Sequence, residues 1–192
     1  MKSPILPAAL LACVLAVPAL AQEAADNTAA AATDDGALEV GATYVAETHG
    51  DWEIRCLVAP EGQPEPCQLY QLLYDTAENA VAEFNLVDIP DEGTMVAGAT
   101  IVTPLDTLLS PNMRMRVDDG PERAYPFRFC QPIGCFVQIG LTADDVQAFR
   151  AGGEATISIV PLPAPDQVVN ITVSLIGFTA GFEALAALSP AQ

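Results

Sequence analysis

Asn112-Met113-Arg114-Met115-Arg116-Val117-Asp118 alternates polar and apolar side chains without a break. Successive side chains of an extended chain point to opposite faces, so a period of two places Met113, Met115 and Val117 on one sheet face. Asp51-Trp52-Glu53-Ile54-Arg55-Cys56 repeats the pattern, and Asn170-Ile171-Thr172-Val173-Ser174-Leu175 repeats it with β-branched residues. Weaker strand candidates cover 68–74, 80–87, 94–102, 125–129, 135–139 and 155–160, several of them separated by Pro or Gly clusters. About nine short strands of this kind predict an all-β fold, an antiparallel two-sheet sandwich of barrel-like form.

Two helical pieces interrupt the strands. Thr142-Ala143-Asp144-Asp145 opens the first: Thr142 suits a capping position, and the two acids suit the positive end of a helix. Val146 and Phe149 share a face, and Gly152-Gly153 ends the turn. The second, a short C-terminal helix over about 180–188, carries Phe182, Leu185 and Leu188 as an apolar stripe of the kind that packs on a core.

The start of the chain has a different character. Lys2 is followed by an apolar run from Ile5 to Val17, then by Ala19-Leu20-Ala21. A positive start, an apolar middle and an A-x-A end make a secretory signal peptide, cut after Ala21. The run is too short for the roughly 20 residues of a membrane span. The predicted organisation is a signal peptide over 1–21, a flexible Ala-rich acidic lead-in over 22–47, and one domain over 48–192. The expected address is the periplasm or outside the cell. A second reading takes Leu10-Leu11-Ala12-Cys13 as a lipoprotein box, although cleavage there would cut the apolar run in its middle.

Once Cys13 has left with the leader, Cys56, Cys67, Cys130 and Cys135 remain. An even count in an exported chain favours disulfides, and four cysteines allow three pairings. The local pairing, Cys56–Cys67 with Cys130–Cys135, closes short loops and is preferred; a crossed pairing or four thiols is the alternative. Cys130-Gln131-Pro132-Ile133-Gly134-Cys135 reads as a hairpin stapled at its neck.

The formal charge is −18, and loss of Lys2 makes it −19, leaving six arginines and no lysine. Such a surface repels nucleic acid phosphate and anionic headgroups. Asp118-Asp119 offers oxygen ligands, but no EF-hand spacing surrounds it, so neither metal nor cofactor is expected. His49 is the single histidine, and no G-x-S-x-G elbow accompanies it. The cysteine spacings fit neither a zinc site nor a C-x-x-C redox motif. No catalytic residue is assigned. Trp52, Phe127, Phe129 and Phe136 are expected in the core.

Several pieces together resemble one family: Gly50-Asp51-Trp52 followed by Arg55-Cys56; Cys67; Pro104-Leu105, Leu108-Leu109 and Pro111; Val117-Asp118; Pro126-Phe127 leading to Cys130; Gly134-Cys135; and Val173-Ser174-Leu175-Ile176-Gly177-Phe178-Thr179-Ala180. The chain resembles the invasion-associated locus B family of alphaproteobacteria over about residues 48–188. The resemblance implies a small secreted or periplasmic β-sandwich, linked in some pathogens to invasion of host cells, notably erythrocytes. It implies no catalytic residues. Once Lys2 is lost with the leader, this chain departs from the family in lacking lysine and in its acidity, which weighs against direct adhesion to an anionic cell surface.

The expected function is therefore that of an exported, non-enzymatic envelope protein that meets another envelope component or a host protein through its loops or a sheet edge. The alternative is a small-ligand module whose sandwich mouth is lined by Trp52, Tyr70 or Tyr125. An exported hydrolase is a third class, and it would need convergent carboxylates.

Overall fold

The computed structural model describes residues 38–89 and 93–189. The signal segment 1–21, Cys13 within it, and residues 22–37 of the lead-in lie outside the described residues. In chain order the elements are β1 (Thr43–His49), β2 (Trp52–Leu57), β3 (Cys67–Tyr74), β4 (Ala80–Asp88), β5 (Met95–Thr103), β6 (Met113–Val117), β7 (Arg123–Tyr125), β8 (Phe127–Gln131), β9 (Gly134–Thr142), α1 (Ala143–Ala151), β10 (Glu154–Ile159), β11 (Val169–Ser174) and α2 (Phe178–Leu188).

The strands form two antiparallel sheets. The large sheet has the order β1-β2-β3-β4-β5-β9-β8, and the small one β11-β10-β6-β7. The two-layer expectation holds, and among the described residues both sheets keep open edges. Pro126 explains one difference from the sequence reading. Residues 125–129 read as one strand, but proline donates no ladder hydrogen bond. The chain leaves the small sheet after Tyr125 and joins the large sheet at Phe127.

β1 is the second difference. It begins inside the segment read as lead-in, and only Tyr44 and His49 along it are partly buried. A strand that sends only Tyr44 against the core leaves no apolar period to read. It is held by main-chain pairing to β2, from Thr43 opposite Leu57 to His49 opposite Trp52.

Between the layers, Ile54, Leu69, Phe84, Ile101 and Val137 of the large sheet meet Met113, Met115, Ile157, Ile171 and Val173 of the small one. Both helices fill the same core through Val146, Phe149, Phe178 and Leu185. Four aromatic rings close a cycle at its centre. Trp52 lies 5.6 Å from Phe84 and 5.5 Å from Phe178, and Phe149 lies 6.0 Å and 5.2 Å from the same two rings. This cycle ties β2 and β4 to both helices, and tilted and edge-on contacts of this kind add to the burial term.

Trp52 is the only one of the expected core aromatics at full depth. Phe127 is partly buried against the core. Phe129 and Phe136 stack on each other at 4.8 Å, and Phe129 is largely exposed. Cys135, Val137, Ile139 and Leu141 of β9 are buried, so the alternation turns Phe136 outward.

α1 is capped as its sequence suggested. Thr142 Oγ1 accepts the Asp145 N–H at 3.2 Å, and the Asp145 carboxylate accepts the Thr142 N–H at 3.0 Å. α2 begins two residues earlier than read, at Phe178, because Gly177 takes φ +88° at its cap. Phe182 and Leu185 are buried, whereas Leu188 is exposed and falls outside the stripe.

Candidate functional site

Two of the sequence pieces that carry the family resemblance, Gly50-Asp51-Trp52 and Val173–Ala180, meet where the small sheet's outer strand touches the large sheet. The turn Gly50-Asp51 packs main chain against main chain on Ile176-Gly177. A Cβ on Gly177 would sit 2.0 Å from the His49 carbonyl oxygen, and one on Gly50 2.5 Å from that of Ile176. Both glycines have positive φ, so each position is closed to a larger residue by space and by backbone conformation. Asp51 N–H donates to the Ile176 carbonyl at 3.1 Å, and Ser174 Oγ donates to the Asp51 carboxylate at 2.5 Å.

Gln71 completes this seam. It lies on β3 with its side chain turned into the gap between the sheets, where it is 5% exposed. Its Nε2 donates to the Ser174 carbonyl at 3.0 Å and to the Asp51 carbonyl at 3.2 Å, and its Oε1 accepts the Ser174 N–H at 2.9 Å. Trp52 Nε1 donates to the same Ser174 carbonyl at 2.9 Å. Gln71 thereby satisfies the last main-chain groups of β11 as a neighbouring strand would. Sequence reasoning passed over it, because a glutamine in Gln68-Leu69-Tyr70-Gln71-Leu72-Leu73 gives no sign that it faces inward.

Outside the seam, Arg55 stacks over the Tyr70 ring at 3.3 Å and pairs with Glu53 at 2.8 Å. Burial pushes the Tyr70 hydroxyl above its ordinary pKa, Glu83 adds to the rise, and Arg55 acts against it. A hollow of about 470 Å³ opens here between β3 and the free edge of β11.

The four cysteines form two cross-strand bridges. Cys56 is the register partner of Cys67 and bonded to it, with Cα atoms 4.1 Å apart. Cys130 is the partner of Cys135 and bonded to it, with Cα atoms 4.0 Å apart. The first holds β2 to β3. The second closes the β8–β9 hairpin around Pro132-Ile133.

The remaining sequence candidates are scattered. His49 ends β1 with its Nε2 2.9 Å from Glu47. Asp118 accepts the Gly153 and Glu154 N–H groups, which makes it a main-chain cap. Asp119 lies beside it, and among the described residues no three His, Cys, Asp or Glu side chains gather into a set that could hold a metal. Of the expected mouth residues, Trp52 is sealed in the core at 0% exposure, while Tyr70, though only 5% exposed, borders the hollow of about 470 Å³ beside β11. Tyr125 instead borders a hollow of about 380 Å³ between β6 and α1, floored by Met115, Leu141 and Phe149. The Pro104-Leu105 and Leu108-Leu109 pieces lie on a loop joined to the β10–β11 loop by Leu108 N–H to Val160 and Leu162 N–H to Asp106, at 2.8 and 2.7 Å.

Two open antiparallel sheets, an aromatic cycle between them and two cross-strand bridges define a small disulfide-bonded β protein whose surface offers sheet edges. No helix among the described residues is long and apolar enough to cross a membrane. The sequence matches the profile of the Invasion associated locus B protein family over residues 52–186, most of the folded part. The chain belongs to that family.

It is 30% identical over 168 residues to invasion protein B of Bartonella bacilliformis, covering 85% of this chain and 88% of the relative. It is 26% identical over 156 residues to an invasion protein B homolog of Brucella abortus, covering 79% and 85%. The crystal structure of invasion associated protein B from Bartonella henselae superposes with a TM-score of 0.63 at 29% identity, covering 74% of this chain and 95% of that one.

Proposed function

We propose that this chain is an exported, non-enzymatic cell-envelope protein that works by contact with another protein. Residues 1–21 would be its cleaved signal peptide, and its two bridges suit an oxidising compartment. The observation that carries the reading is the openness of both sheets. Among the described residues each ends in edge strands whose main-chain groups lack a strand neighbour on one side, and such groups accept an extended segment of another chain. The relatives are named for invasion, invasion protein B and a homolog of it, and such a role is in keeping with contact between proteins.

The test is cell fractionation with intact-mass measurement, followed by crosslinking and recovery of the tagged chain from the envelope fraction. The reading expects a mass starting at Gln22, four hydrogens lighter than the all-thiol chain, and one specific co-purifying protein. Recovery of the full-length reduced chain from the cytosol, or of no specific partner, would contradict it.

The hollow beside Tyr125 supports a second reading as a small-ligand module. Its volume of about 380 Å³ lies within the few-hundred-Å³ range of small-molecule sites. A screen of amphipathic small molecules for a rise in Tm, abolished by Leu141→Trp, would support that reading; a flat screen would remove it.

A further inference from the structure

We infer that the free edge of β11 is the contact edge, and that its partner is an extended, basic protein segment that adds to it as a further strand. This rests on the protein-contact reading above and specifies where and what that contact is.

The four sheet edges among the described residues differ in how they are guarded. β1 is broken by a bulge between Val45 and Glu47, and Glu47 charges it. β8 is bulged between Phe127 and Phe129, carries Arg128, and is stapled at its end by Cys130–Cys135. β7 has three residues and lies between Pro121 and Pro126. Bulges, charges, proline and shortness are the devices that stop an edge from pairing. β11 has none of them. Val169-Asn170-Ile171-Thr172-Val173-Ser174 is uncharged and keeps an uninterrupted register with β10 over its whole length.

The direction of its main-chain groups follows from the seam. Leu175 N–H donates inward to Gly153, so Leu175 and Val173 face β10. Ser174 faces the other way, toward Gln71. Alternation then turns the N–H and C=O of Thr172 and Asn170 to the open side as well. Gln71 and Trp52 occupy the first rung, at Ser174, and the next rungs stand ready in a fixed geometry. The hollow of about 470 Å³ beside them, bordered by Thr172, Leu72, Tyr70 and Tyr74, gives the added strand's side chains a place to lie.

Charge selects the occupant. Asp51 and Glu53 border the hollow, and the single guanidinium there, Arg55, is already paired with Glu53 at 2.8 Å. The chain as a whole carries −18. A second copy would bring the same charge to the same edge, whereas a lysine- or arginine-bearing segment is attracted to it.

The experiment uses the mature chain with both bridges formed. A ten-residue peptide alternating lysine with valine is titrated against it, beside the same peptide with glutamate for lysine, while amide hydrogen exchange is followed residue by residue. The basic peptide should bind and slow exchange at Asn170 and Thr172, with the acidic one at least tenfold weaker. Thr172→Pro, which removes an outward N–H, should weaken the basic peptide about tenfold or more, while Thr172→Val, which keeps it, should stay within about twofold. If Thr172→Pro fails to fold, the exchange map of the unaltered chain decides. Protection at β1, β8 or the Tyr125 hollow, equal binding of the acidic peptide, no binding, or a dimer formed through β11 would each overturn the inference. Crosslinking separates this from the broader reading. A partner recovered equally by the unaltered chain and Thr172→Pro leaves protein contact standing and sinks the edge; no partner from either sinks the contact itself.

Discussion

Gln71 pairs with both main-chain groups of Ser174, donating to its carbonyl at 3.0 Å and accepting its N–H at 2.9 Å. One side chain thus bridges two sheets that share no ladder among the described residues, and it does so nearly out of reach of water. Replacing it with leucine leaves the Ser174 N–H unsatisfied in the seam. Gln71→Leu should cost about 2 kcal/mol, by the usual penalty of 1–3 kcal/mol for a buried unmet polar group. Urea unfolding would show the loss as a lowered midpoint at unchanged slope, and Ser174 amide exchange should accelerate more than that of Phe84.

The aromatic cycle makes a larger prediction. Phe84 is fully buried and touches both Trp52 and Phe149. Phe84→Ala should destabilise by about 3–5 kcal/mol, the range for removing a core aromatic ring. Phe129→Ala, on the outer face, should cost well under half as much. Thermal unfolding of the two variants provides the comparison, and equal losses would contradict the placement of the core.

The bridges differ in loop length. Cys56–Cys67 spans 11 residues and Cys130–Cys135 spans 5. On the chain-entropy model the first contributes about 2.8 kcal/mol and the second about 2.1 kcal/mol. Replacing each pair with alanines should therefore destabilise in that order, as read by denaturant midpoints under oxidising conditions. Dithiothreitol should lower the stability of the unaltered chain toward that of the variant lacking both bridges.

The cap of α1 gives a pH dependence. Burial pushes the Asp145 carboxyl up, but hydrogen bonds from the Thr142 N–H and hydroxyl, together with Arg123, outweigh it and hold the group below its ordinary 3.8. A folded-state pKa below the unfolded one stabilises the fold above the unfolded pKa, and that contribution is lost as pH falls through the folded value. The gap in Tm between the unaltered chain and Asp145→Asn should be full at neutral pH and shrink below about pH 3.8. Thr142→Ala should cost about 1 kcal/mol at neutral pH.

Legibility in the sequence followed the burial of one face. β6 and β11 were readable because each sets apolar residues inward and polar ones outward. β1 was not, since Thr43–His49 contributes main-chain bonds and almost no core. The sheet assignment of residues 125–129 was hidden because Pro126 marks a break without saying which sheet each half joins. Strand order is non-local: nothing in Gly134–Thr142 announces that it slips between β5 and β8. For the same reason the sequence showed that edges exist without showing which strand would be one. The seam was half visible, in Gly50-Asp51-Trp52 and the residues around Ser174 and Gly177, but their meeting through Gln71 required the fold.

Contact through the free edge of β11 is tested most directly in the envelope of living cells, with a photoreactive side chain placed at Thr172 and, separately, at Thr100 on the outer face of the large sheet. Illumination should join position 172 to a defined segment of another protein, rich in lysine or arginine, and leave position 100 without a specific adduct. An adduct at 100 with none at 172, or a 172 adduct only to a second copy of this chain, would contradict the account.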